Sequence, residues 1–285
     1  MPCLTRSVGH NGSVTATDAP APITDRPLGV IDLLDGAFHA LRQRPLVLVL
    51  AVAWIAVPGA LAQLLLDAFV LGTEPATITN GFGVQDGVMS DSVLVRLLLG
   101  WLVTALAGVP VARIVGGWLV GIDTTPLAAI RYTLRRLPVV GVTFVASHVA
   151  TILGTLACLL PGFFFLAMSS LLSPVIAVEE AVSIKAALKR SWRLARANSG
   201  AVYGLIIAIF FTGLFLQGGL FLLVSLFTGL PERSFLVVNA AALLIGQLLI
   251  LPLNGAAMSL LYLDARFRTE GFDLELRSLT SFPQG

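Results

Sequence analysis

The sequence predicts an all-α fold: a polytopic membrane helical bundle of six transmembrane helices, arranged as three hairpins, each preceded by an interfacial amphipathic helix. Three observations predict it. Hydrophobic residues make up 56% of the 285 and charged residues only 12%, about half the usual share, so too few charges exist to cover a water-facing surface. Six stretches are apolar over the roughly 20 residues that a helix needs to cross a bilayer. Fifteen of the eighteen Lys and Arg residues fall on one side of the resulting topology.

Residues 1–25 are polar, lack the apolar h-region of a signal peptide and cannot bury enough surface to fold, so a disordered tail is expected there. The membrane domain is expected over 26–264, followed by a short tail at 265–285. It opens with an amphipathic helix in which Val30, Leu34, Phe38 and Leu41 recur at helical spacing. The first hairpin joins spans at 46–66 and 93–120 through a long loop carrying Asp67, Glu74, Asp86 and Asp91 and no basic residue. In the second unit Thr125 caps a helix with Pro126 at its first position, and Leu127, Ile130, Leu134 and Leu137 form the stripe. Its spans, 139–160 and 162–178, form one apolar run broken by Pro161 and Gly162, which predicts a tight turn at that pair. The third unit has Ile184, Leu188 and Trp192 on an apolar face opposite Lys185, Lys189, Arg193 and Arg196, then spans at 202–228 and 235–263. Leu34, Ile130 and Leu188 align across the units, as do Phe38, Leu134 and Trp192, so the chain reads as a threefold repeat.

The basic residues cluster before the first, third and fifth spans and after the sixth, which places both termini in the cytoplasm and requires an even number of spans. Sixteen of the eighteen basic residues are Arg, and Ala and Gly are abundant. That composition suggests a GC-rich genome and hence a bacterial plasma membrane. Two cysteines, Cys3 and Cys158, are expected near opposite sides of the bilayer, so no disulfide framework is expected.

Four stretches resemble a known family. They are Arg26-Pro-Leu-Gly-Val-Ile-Asp-Leu-Leu-Asp-Gly-Ala-Phe38, Leu160-Pro-Gly162, Ser173-Pro174 to Glu179 with Ser191-Trp-Arg-Leu194, and Tyr262-Leu-Asp-Ala-Arg-Phe-Arg-Thr-Glu-Gly-Phe-Asp-Leu-Glu275. Together they resemble bacterial, actinobacterial-type, integral membrane proteins related to the membrane domain of glycerophosphodiester phosphodiesterases, over roughly residues 26–277. The resemblance implies a six-helix membrane domain, found fused to a catalytic barrel or alone. A barrel would need about 250 further residues, so the lone form is expected and no catalytic residue carries over.

No zinc-cluster spacing, HExxH, Walker A loop or GxSxG elbow occurs, and Asp35-Gly36 lacks the continuation of the CDP-alcohol phosphotransferase motif. No cofactor, metal or catalytic residue is therefore expected, and no basic stretch with stacking aromatics suggests nucleic acid. Two candidate sites remain. The basic helix residues Lys185, Lys189, Arg190, Arg193 and Arg196 are placed to contact anionic lipid, or else serve topology alone. Arg113, His148 and Asn254 are polar residues inside spans and candidates for an intramembrane site: a proton relay at His148 or a neutral ring hydrogen-bonded between helices, a substrate contact at Arg113 or, in preference, a structural anchor that snorkels or pairs with Glu179 or Glu180, and at Asn254 a cavity lining or, in preference, hydrogen bonding between helices. Gln63, Gln217 and Gln247 read as Asn254 does, Arg96 and Asp67 fall near the outer boundary, where they are placed to pair, and Gly117 to Gly121 and Gly200 to Gly204 carry GxxxG spacing. The expected function is a non-enzymatic accessory or scaffolding protein contacting membrane lipids or a protein partner at the cytoplasmic leaflet. A transporter or permease-like subunit is the alternative; the substrate and oligomeric state stay open.

Overall fold

The computed structural model describes residues 28–69, 84–85, 88–89, 91–119, 121–179, 182–226 and 232–270. The expectations for the N-terminal tail, the centre of the acidic loop and the C-terminal tail lie outside them. The architecture is an all-α polytopic membrane bundle. In chain order it contains α1 (Val30–Gln43), α2 (Pro45–Phe69), α3 (Asp91–Leu119), α4 (Pro126–Arg135), α5 (Leu137–Ala157), α6 (Leu159–Ser169), α7 (Leu172–Val178), α8 (Ile184–Ala197), α9 (Ser199–Ser225) and α10 (Glu232–Glu270). A two-residue antiparallel ladder, β1 (Val84–Gln85) against β2 (Val88–Met89), lies between α2 and α3.

Among the described residues, six segments are long and apolar enough to cross a membrane: Pro45–Leu66, Leu98–Trp118, Leu137–Ala157, Leu159–Val178, Ser199–Val224 and Leu236–Glu270. They pack as consecutive pairs, α2 on α3, α5 on α6 and α9 on α10, which are the three hairpins. α10 then packs on both α2 and α3, and α3 on α7. The second span is consequently 56% buried, against 11% for the fifth, so α3 is the centre of the bundle and α9 lies at its edge. α10 runs 39 residues, about 58 Å at 1.5 Å per residue, and outreaches a hydrocarbon core of about 30 Å. Its last turns, with Asp264, Arg266, Arg268 and Glu270, extend beyond the apolar zone.

The repeat is visible in the coordinates. The N-cap residues Gly29, Thr125 and Ser183 occupy equivalent positions, and Thr125 and Ser183 each accept a hydrogen bond from the N–H three residues on. Leu33, Ala129 and Ala187 are equivalent and fully buried; so are Ala37, Thr133 and Ser191. The buried face is therefore rotated from the expected stripe. Phe38, Leu134 and Trp192 are 41%, 49% and 36% exposed, because mostly small residues let each helix approach the bundle while the largest apolar ones flank the contact.

Two expectations about the second hairpin are corrected. The turn falls at Cys158, whose φ of −172° and ψ of 151° are extended, and not at Pro161. Pro161 sits in the first turn of α6, where its missing N–H would have had no helical partner anyway. Glycines close the hairpin: a Cβ at Gly162 would lie 1.9 Å from Thr155 Oγ1, and one at Gly154 would lie 2.9 Å from the Gly162 nitrogen. The fourth span is also two helices, interrupted at Ser170 and Leu171. Pro174 cannot donate to the carbonyl of Ser170, four residues back, and its ring crowds that position. The GxxxG pairs do not act as such. Gly121 lies past α3 in a left-handed turn with φ +73°, and Gly200 meets nothing, although Gly204 admits Val30 of α1.

Candidate functional site

At the basic end of the bundle, Arg190, Arg193, Arg266, Glu179 and Glu270 form one charged cluster. Arg190 of α8 donates from Nε to Glu179 Oε1 at 2.6 Å and from Nη2 to Glu270 Oε2 at 2.6 Å, while its Nη1 also meets Glu270. Glu270 accepts as well from Arg193 at 3.0 Å and from Arg266 at 3.2 Å. The Tyr262 hydroxyl donates to Glu179 Oε1 at 2.9 Å. Below them the Ser191 hydroxyl donates to the Met168 carbonyl at 2.7 Å, fixing α8 against α6. Burial works against the Arg190 charge, but the Glu270 and Glu179 carboxylates outweigh it and raise its already high pKa, so Arg190 stays charged. A second strap ties α1 to α10: Asp264 pairs with Arg268 at 2.5 Å, and Arg268 donates to the Leu28 carbonyl at 3.1 Å.

The five basic residues of α8 therefore separate. Arg190 is held inside the cluster, and Arg193 reaches it while keeping 63% of its side-chain surface exposed; Lys185, Lys189 and Arg196 are exposed and make no ion pair among the described residues. Glu179, Tyr262 and Glu270 were not singled out as a site from the sequence. Their signal was the placement of acids and a tyrosine at the basic ends of the fourth and sixth spans.

Arg113 anchors the C-terminal end of α7. Its Nη1 donates to the Ala177 carbonyl at 2.9 Å, its guanidinium lies 4.6 Å from the Tyr132 ring centroid, and the Tyr132 hydroxyl donates to the Ile176 carbonyl at 2.8 Å. The two side chains satisfy carbonyls at the C-terminus of α7, which a helix end leaves without internal partners. Glu179 belongs to Arg190 and Tyr262, and Glu180 lies outside the described residues.

His148 and Asn254 do come together, in a cavity of about 280 Å³ bounded by α3, α5, α6, α7, α9 and α10. The interruption of the fourth span faces it, through Ser169, Ser170 and Ser173. Thr104, Thr143 and Ser147 add hydroxyls, and Trp101, Phe144, Leu166, Ile206 and Phe210 supply apolar wall. The His148 ring lies 4.8 Å from Trp101 and 4.1 Å from Phe144 between centroids. Its Nδ1 is 2.8 Å from the Phe144 carbonyl, a contact that requires the proton on Nδ1 and leaves Nε2 of a neutral ring as an acceptor. Thr143 and Ser147 belong to a series of hydroxyls, continued by Thr151 and Thr155, one every helical turn of α5; only the first two line the cavity. Nearer the end opposite the basic cluster, Gln63, Arg96, Gln217 and Asn239 meet around a smaller pocket of about 130 Å³. The Asp67 side chain lies outside the described residues, so the expected pairing with Arg96 does too.

Comparison of the chain with protein-family models, curated proteins and solved structures returns no match.

Proposed function

We propose that this chain is a non-enzymatic accessory or scaffolding protein that contacts anionic lipid at the leaflet its basic end faces, in a bacterial plasma membrane with both termini cytoplasmic. The observation that carries the reading is the shared register of the three interfacial helices. Each presents a large exposed apolar side chain, Phe38, Leu134 or Trp192, at the equivalent position. Arg42, Arg131, Arg135, Lys185, Lys189 and Arg196 are exposed on the same helices. Such basic residues each attract an anionic surface by about 1 kcal/mol, and the neighbouring apolar side chains anchor the helix at that depth. The resemblance to the membrane domain of glycerophosphodiester phosphodiesterases belongs to the same proposal. Residues of its motifs, Glu179, Ser191 and Tyr262, lie together around α8. The test is native mass spectrometry of the full chain released from nanodiscs of mixed anionic and zwitterionic lipid. Anionic lipid should be enriched on the protein, and Lys185→Gln with Lys189→Gln and Arg196→Gln should remove most of that enrichment. Equal lipid composition on protein and bulk membrane would sink the reading.

A permease-like reading has one observation in its favour, the interrupted fourth span beside a polar-lined cavity. Proteoliposome flux that is insensitive to His148→Ala and Asn254→Ala would count against it.

A further inference from the structure

The cavity between α5 and the α9–α10 hairpin defines its occupant by hydrogen-bonding chemistry. Thr104, Thr143, Ser147, Ser169 and Ser170 each give their single hydroxyl proton to a backbone carbonyl of their own helix, at 2.7 to 2.9 Å. What their oxygens still offer is lone pairs. The Nε2 of neutral His148 offers another, since Nδ1 is committed to Phe144. Asn254 and Ser173 line the same space and make no side-chain hydrogen bond among the described residues, so their amide N–H groups and hydroxyl proton remain available. The cavity thus holds several acceptors and a few donors.

Among the described residues no Asp, Glu, Lys or Arg lines it, so the described lining carries no carboxylate, ammonium or guanidinium charge. A phosphate, carboxylate or ammonium group here would lose its hydration with no counter-charge in return, at a cost of several kcal/mol in hydrocarbon surroundings. Groups that both donate and accept without charge, hydroxyls above all, satisfy the lining. The volume of about 280 Å³ is near the lower end of ligand sites, room for a head group and a short stretch of chain. Phe210 lines the cavity and is nevertheless 63% exposed, which marks the place beside α9 where the wall gives way to the lipid phase. We propose that this cavity binds a lipid with an uncharged, hydroxyl-bearing head group, its head among Thr143, Ser147, Ser173 and Asn254 and its chain leaving past Phe210. This goes beyond the leaflet reading and does not depend on it.

The probe is 3-bromododecane-1,2-diol, which carries its bromine beside the head group, added to the full chain in nanodiscs with Trp54, Trp118 and Trp192 changed to Phe, so that only Trp101 of the cavity wall reports. Saturable quenching of Trp101 is expected, competed by unbrominated dodecane-1,2-diol. Its dimethyl ether, which accepts but cannot donate, should compete about tenfold less well, as should dodecanoate and dodecylammonium. Thr143→Val with Ser147→Ala should weaken the diol about fivefold or more, and Ala105→Phe, which fills the space, should leave only unsaturable quenching. The competitor series uses the native lining, so it decides even if a lining variant misfolds. Unsaturable quenching in the native-lined protein overturns the site. Equal competition by dodecanoate or dodecylammonium overturns the neutral head group, and equal competition by the ether overturns the hydroxyl. Loss of anionic-lipid enrichment in the basic-helix variant, with diol binding intact, would touch only the leaflet proposal.

Discussion

Removing Arg190 tests whether the charged cluster fastens α8 to the ends of the fourth and sixth spans. In Arg190→Gln, Glu270 keeps Arg193 and Arg266, whereas Glu179 keeps only the Tyr262 hydroxyl. The loss therefore falls mainly on Glu179. Breaking a buried ion pair by deleting one partner costs about 3–5 kcal/mol, and an exposed pair about 0–1. Arg190 and Glu179 keep 19% and 21% of their side-chain surface in solvent, nearer the buried case. With the partners Glu270 retains, the expected cost is about 2 kcal/mol, or roughly 4–8 °C in Tm on the scaling of large soluble domains. Tryptophan-monitored thermal unfolding in detergent micelles, together with reversible unfolding in mixed micelles, reads it. Arg190→Lys should recover less than half, because an ammonium cannot bridge both carboxylates as the guanidinium fork does. A double-mutant cycle with Glu179→Gln should give a coupling of about 1 kcal/mol or more. A loss below about 0.5 kcal/mol, or strict additivity with Glu179→Gln, would refute the idea that these contacts hold the helix.

Gly162→Ala should cost about 3 kcal/mol or more in the same unfolding assay, because the new Cβ meets the Thr155 backbone at 2.7 and 2.8 Å as well as its hydroxyl, whereas Gly218→Ala, which meets nothing, should unfold like the parent. Tyr262→Phe should cost about 1–2 kcal/mol by taking from Glu179 a hydroxyl at 2.9 Å, with no change in packing volume to confuse the reading. Arg44→Gln should change stability by less than about 1 kcal/mol, since its pair with Asp123 at 2.7 Å is 50% and 73% exposed; a larger loss would mean that the pair is structural. Reporter fusions after Asp86 and after Arg277 should report opposite sides of the membrane, and agreement between them would remove the even-span orientation.

The spans were legible because a membrane helix announces itself by length and composition, which a single sequence carries in full. Each expected span overlaps an observed one, within a few residues at most ends and seven at the end of the sixth. What composition does not carry is how the chain turns. The second hairpin pivots at Cys158 because two glycines, eight residues apart, admit the opposing backbone, and that proximity exists only after folding. The same holds for the sites. His148 and Asn254 were marked as polar residues in apolar spans, and they share a cavity because α5 and α10 bring them to it. Arg113 carried the same mark, yet it caps α7, and nothing in its spacing distinguishes a capping arginine from a ligand-binding one. The hydroxyls were passed over because a serine or threonine in a span is ordinary; six of them at one interrupted helix and its neighbours are not.

The repeat explains where the distinctive chemistry is placed. The seventh residue of each interfacial helix is Gly36 in α1, Tyr132 in α4 and Arg190 in α8. All three face the basic end of the fourth or sixth span. A Cβ at Gly36 would come within 2.9 Å of Leu260, Tyr132 donates to Ile176, and Arg190 meets both Glu179 and Glu270. The scaffold around this position is nearly constant, with buried residues three before it and one after it in every unit. The position itself varies from no side chain, through a neutral hydroxyl, to a fixed charge. A glycine there lets α1 close tightly on α10, while the tyrosine and the arginine grip the end of α7 from two sides. The short α7, cut from the rest of its span at Ser170 and Leu171, is thus braced at one end by two of the three repeat units and opens at its other end on the cavity. Movement of α8 relative to the bundle would reach the cavity lining by two routes, through Glu179 and the seven-residue α7 and through the Ser191 bond to Met168 of α6.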